Sequence, residues 1–137
     1  MAPHSPNSWT RWRRILADTP LPAAVVDLDA LDHNLDLLCN ATSKPSTVRI
    51  ASKSLRVPWL FRYLQQRGGA RIQGLMTYDP RETAWLAGSG FDDMLLAYPI
   101  GRPSEATMLA KLAAEGVTLR ATLDHPDHVA LLGQAAQ

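Results

Sequence analysis

Three features of the 137-residue sequence predict an α/β fold, a partial TIM-type (β/α) barrel of about five βα units out of eight. Short apolar runs recur at 23–28, 48–51, 72–77, 94–98 and 117–123, with starts 22 to 25 residues apart. Most of these runs are nearly continuous in apolar character, as expected of parallel strands buried on both faces, where a strand with one wet face would alternate. The segments between them carry helix signals, so each unit reads strand, helix, strand.

The first run, Ala23 to Leu28, is followed by Leu31, Leu35 and Leu38 at helical spacing opposite Asp32 and Asp36. After the second, Pro58 suits a first helical turn, Leu60 and Leu64 lie four apart, and Gly68 with Gly69 supplies a stop. The third helix opens at "DPRE", where Asp79 can cap and Glu82 can reach back as in a capping box; Gly88 and Gly90 close it. The fourth opens at "RPSE" and ends near Gly116, and the fifth opens at "DHPDH" with Val129 and Leu132 on its apolar face. A doubly wound nucleotide-binding sheet would show a Gly-rich turn after its first strand. Here "DLDALDHN" has no glycine, which favours the barrel. A complete barrel has eight units and roughly 250 residues, so five units predict a truncated or fragmentary chain.

Composition bounds the rest. Apolar residues are 46% and charged residues 20%, with net charge +1, as in a soluble globular domain rather than a disordered one. No apolar run approaches the roughly 18 residues of a membrane span. The single cysteine, Cys39, forms no internal disulfide and reads as a packing residue. Residues 1–18 form a basic, Trp-containing leader (Trp9, Arg11, Trp12, Arg13, Arg14) without the apolar core of a secretory signal, and residues 19–137 form the barrel domain. The expected location is cytoplasmic, with no nucleic-acid or membrane partner.

Lys53 stands out, since the chain has eleven arginines but only three lysines. It falls at the C-terminal end of the second run, where barrel enzymes place their chemistry. A lysine half-buried there would lose solvation and be able to act as a free amine toward an aldehyde, which an always-protonated arginine cannot do. His125 and His128, with Asp124 and Asp127, could ligate zinc at the end of the fifth run; capping by Asp124 with surface histidines is the favoured reading, and no metal is expected. Tyr78 and Tyr98 end strands and could line the mouth, though strand-end aromatics require no function, and His33 sits on a helix surface.

"TPLPAAVVDLDALDHNLDLL", "VRIASKSLR" and "IQGLMTYDPRETAWLAGSGFDDMLLAYP" resemble, in order and spacing, the N-terminal barrel of fold-type III pyridoxal-phosphate enzymes. The alanine racemases belong to that superfamily, and the likeness is greater to the branch of D-threonine aldolases, D-serine dehydratases and amino-acid deaminases. It covers roughly residues 19–128. The resemblance implies pyridoxal 5'-phosphate as cofactor, held as an internal aldimine by Lys53, which would also move a proton at the substrate α-carbon. It implies a D- or racemic amino acid as the small-molecule substrate, racemase, aldolase or deaminase/dehydratase chemistry, and Asp124 near the cofactor ring. A homodimer is possible for a full-length protein. That branch tends to show R-P-H-x-K-T-H-K; here "RIASKSLR" retains Arg49 and Lys53, places Ala51 and Leu55 at the two histidines, and leaves Ser54 and Arg56 as substitutes. An inactive fragment, a non-catalytic cofactor binder, or an unrelated sugar-phosphate barrel are the alternatives.

Overall fold

A computed structural model describes residues 6–42 and 45–137. The chain divides into two compact units, Met1–Leu31 and Asp32–Gln137. In the first, α1 (Pro6–Ile15) carries Arg13 and Arg14 in its last turn, where cations meet the carbonyl end of the helix dipole. Within the same unit Arg11 pairs with Asp27 at 3.4 Å.

The run Ala23 to Leu28 is not a strand: it is irregular up to Asp27, and α2 (Leu28–Ala41) starts at its end. Asp27 decides this, because its carboxylate accepts the Ala30 N–H at 3.2 Å and its carbonyl accepts that of Leu31. An apolar run that makes no ladder remains coil, and this one ends in a helix cap. On α2, Leu35 is buried as expected, while Leu38 is exposed. Asp32 and Asp36 both accept from Arg67, and Tyr63 donates to Asp32 at 2.8 Å.

The second unit continues as β1 (Val48–Ala51), α3 (Ser52–Leu55), α4 (Pro58–Gly68), a 3-10 turn, β2 (Ile72–Thr77), α5 (Pro80–Gly88), β3 (Met94–Leu96), α6 (Pro103–Ala114), β4 (Leu119–Ala121) and α7 (Pro126–Ala135). The four strands are parallel and lie in the order β1-β2-β3-β4, with Leu75 opposite Met94 and Leu96 opposite Ala121. Sequential order separates the two candidate architectures. A doubly wound sheet reverses its strand order at a switch point, whereas a barrel adds each new strand on the same side. The sheet is a four-strand arc of a (β/α) barrel.

Burial also departs from expectation. The strands have one buried face, not two: Leu75, Thr77, Met94 and Leu96 are almost fully buried, while the intervening Met76 and Leu95 are only partly covered. The buried face packs on helices. Phe61 of α4 and Leu86 of α5 join Leu75, Phe91 and Met94 in one cluster, and Ala106 and Leu109 of α6 join Leu96 and Ile100 in a second. Burial of such side chains contributes about 1.5–3 kcal/mol each. The opposite face would line a barrel's interior, which is dry only where strands from across the barrel cover it.

Candidate functional site

The C-terminal ends of β1, β2 and β3 gather the polar groups of interest. β1 runs straight into the single turn of α3, which closes with Arg56 in the left-handed region (φ 50°) and its N–H on the Ser52 carbonyl. Ser52, fully buried, donates its hydroxyl to Glu82 Oε2 at 2.8 Å. The same oxygen accepts the Tyr78 N–H at 3.1 Å. Glu82 does not close the capping box predicted for it: it reaches past the Asp79 N–H to that of Tyr78 and ties the end of β1 to the end of β2. Asp79 caps α5 as expected, accepting from Arg81 and Glu82 N–H groups.

This tie fixes the turn that carries Lys53. Its side chain extends past the end of β2 and donates to the Tyr98 hydroxyl, after β3, at 3.0 Å. The ammonium is also 5.2 Å from the Tyr98 ring centroid, so both the hydroxyl and the ring of Tyr98 are its partners. Hydrogen bonding from Lys53, and then its charge, lower the Tyr98 pKa below the usual phenol value. Lys53 is exposed rather than half-buried as expected, because the inner face of the sheet beside it is open. Among the described residues it has no acidic partner, only this phenol. Arg56 lies 5.4 Å from the ring centroid of Tyr78, a second cation at the same edge.

The other sequence candidates make contacts of their own. Asp124 pairs with His128 at 3.1 Å on its own turn, with a largely exposed side chain. It does not cap α7: His125 does, its Nδ1 accepting the Asp127 N–H at 3.2 Å. The cap shifts one residue because Pro126 occupies the first helical position, making its neighbour the boundary residue. Among the described residues no three His, Cys, Asp or Glu side chains converge as a metal site, and no helix is long and apolar enough to cross a membrane. Arg49 is committed below the site, where it holds Asp93 Oδ1 at 2.8 Å. Leu55 packs against the first core cluster.

The sequence named Tyr98 only as a strand-end aromatic that could line the mouth and missed its bond to Lys53. Its position at a strand end was visible, but its partner lies 45 residues away. Only the strand order, which sets β1 and β3 on either side of β2, reveals that the two side chains meet.

The crystal structure of D-threonine aldolase from Filomicrobium marinum superposes with a TM-score of 0.77 over 88% of this chain, at 24% identity. The two share a fold. The chain spans about a third of that protein's length (32%). No protein-family model matches the sequence, and no curated protein does.

Proposed function

We propose that this chain is a domain of a pyridoxal-phosphate enzyme acting on D- or racemic amino acids, of racemase, aldolase or deaminase/dehydratase type, with Lys53 holding the cofactor. One observation carries the reading: the Lys53 amine stands at the C-terminal edge of a barrel sheet, turned toward the end of β3 and bonded to a phenol at 3.0 Å. The fold it occupies is shared with a solved D-threonine aldolase, and "VRIASKSLR" has the lysine at the position the motif resemblance requires.

The residues present fit the aldehyde end of such a cofactor. The amine is exposed, sits at the edge where barrels do chemistry, and is bonded to an uncharged acceptor instead of being held by a carboxylate. When bound, the cofactor supplies an electron sink for charge that develops at the substrate α-carbon. The protein's part is position and proton handling. Glu82 and Ser52 hold the turn; Lys53 binds and, once freed, can take or give a proton at Nζ; Tyr98 holds a proton beside that nitrogen; Arg56 places positive charge at the mouth, where it attracts an anionic ligand.

A second reading, a chain that binds the cofactor without turnover, is favoured by the segment around the lysine. Ala51 has no proton-carrying group and Leu55 is turned into the core, so neither histidine of the related pattern has a counterpart. Pyridoxal phosphate added to the purified chain should produce a visible absorbance band that Lys53→Ala abolishes. Turnover of D-serine, D-threonine or alanine would then separate catalysis from binding. A band that persists unchanged in Lys53→Ala would contradict both readings.

A further inference from the structure

We propose that Tyr98 is a catalytic residue at Lys53: its phenol oxygen takes a proton from Nζ and returns it to the departing oxygen when the lysine condenses with an aldehyde. The inference rests on the reading of Lys53 as the reacting amine, and adds to it a residue, and a role, that the motif around the lysine does not contain.

Geometry supports the assignment in three ways. The hydroxyl is within hydrogen-bonding distance of Nζ, at 3.0 Å, the separation a proton transfer needs. The contact is long-range, made by a lysine that leaves β1 and passes the end of β2; adjacent strands are about 4.8 Å apart, so the two side chains together bridge about 10 Å between strand axes. Tyr98 is 52% exposed, so a small molecule at the sheet edge can touch the same oxygen.

Three other charged groups near this edge are committed elsewhere. Glu82 accepts from Ser52 and from the Tyr78 N–H. Asp79 accepts from the first turn of α5. Arg56 lies against the Tyr78 ring and, as a guanidinium, stays protonated. Tyr98 alone among the described residues stands within hydrogen-bonding distance of Nζ with an oxygen that can both accept and donate. The lowering of its pKa by Lys53 acts in the same direction, since it makes the proton-accepting form easier to reach.

The step balances without any further reactant. Tyr98, in its phenolate form, takes one proton from the ammonium, and the lone pair this frees lets Nζ bond to the aldehyde carbon as the carbonyl π bond breaks. Tyr98 passes that proton to the resulting oxygen and a second proton moves from nitrogen to the same oxygen; the C–O bond then breaks as C=N forms, and water departs. One proton stays on the nitrogen, which keeps the positive charge, and Tyr98 ends as the phenolate it began as.

The test uses a small aldehyde, so that it does not depend on recognition of pyridoxal phosphate. The full chain is treated with dilute formaldehyde and cyanoborohydride, and methylation of Lys53 is compared by peptide mass spectrometry with that of Lys111. The reference lysine is exposed and, among the described residues, paired only with Glu115, at 3.8 Å. Tyr98→Phe should lower the Lys53-to-Lys111 ratio by about 10-fold, less than the roughly 10²–10⁴ of acid–base catalysis in a closed site because this edge is open to water. Tyr98→His, which restores a proton-carrying group at the same strand end, should recover part of the loss. An unchanged ratio in Tyr98→Phe, or an equal loss in both variants, would overturn the proposal. Failure of pyridoxal phosphate to attach to Lys53 in the unaltered chain would instead sink the functional reading, and the formaldehyde ratio would still decide the role of Tyr98.

Discussion

The two ends of the sheet use polar residues in opposite ways. Toward the N-terminal end, Arg49 and Arg120 both bond Asp93, so one carboxylate serves two guanidinium groups. Gly74, with φ +64°, leaves room for this, since a methyl group there would overlap Arg49 Nη1 and the Asp93 carbonyl. At the C-terminal end Glu82 is spent on orienting backbone and Ser52 and Asp79 on capping α5, and among the described residues the lysine has only a phenol. Charges paired by carboxylates lock strands together; a cation left with a neutral partner stays available to react. Changes at the first end should therefore cost stability alone, and changes at the second should also alter the chemistry of Lys53.

The largest effect should come from Gly74→Ala. Alanine in the left-handed region, with overlap on two sides, should destabilise by about 3 kcal/mol and lower Tm by about 10 °C, read by thermal or urea unfolding. Aldehyde reactivity of Lys53 in the remaining folded protein should not change. Glu82→Ala comes next. It leaves the Ser52 hydroxyl buried without its acceptor, at a cost of about 2 kcal/mol, and it should also reduce methylation of Lys53 relative to Lys111. If Glu82→Ala altered stability without touching that ratio, the contrast between the two ends would fail.

Asp93→Asn should cost about 1 kcal/mol near neutral pH, because asparagine keeps one acceptor but both arginines lose their counter-charge in a partly exposed site. Its pH signature is sharper. Hydrogen bonds from Arg49, opposed by burial, hold the Asp93 pKa below the ordinary value, and the Thr118 N–H does the same for Asp92. A carboxylate with a lowered folded pKa contributes stability that is present above its unfolded pKa, near 4, and is lost as pH falls through the lower folded value. Unfolding free energy should decline below about pH 4 in the native chain, and Asp93→Asn should decline less. The smallest effect belongs to Lys111→Ala, which removes an exposed helical ion pair with Glu115 and should shift stability by roughly 0.3 kcal/mol.

Much of the arc was legible because local chemistry specified it. Val48 to Ala51 and Ile72 to Thr77 are strands with the bounds the apolar runs gave, and Pro58, Pro80, Pro103 and Pro126 all open helices. What escaped was non-local. The run Ala23 to Leu28 has strand composition, but a ladder needs a partner and Asp27 caps a helix instead. The contrast between buried and partly covered strand faces depends on what lies across the sheet, which no strand encodes in its own residues. At the site, the position of Lys53 was readable from the strand end and from the motif, whereas the hydrogen bonds of Lys53 to Tyr98 and of Ser52 to Glu82 join residues 45 and 30 apart.

The central claim concerns the nitrogen of Lys53, and borohydride reduction tests it most directly. The chain is incubated with pyridoxal phosphate, reduced, digested and mapped for the lysine that carries the pyridoxyl group. Selective modification of Lys53 at low cofactor concentration, with Lys111 unmodified, is the predicted result. Equal labelling of the two lysines, or labelling that spares Lys53, would contradict the account.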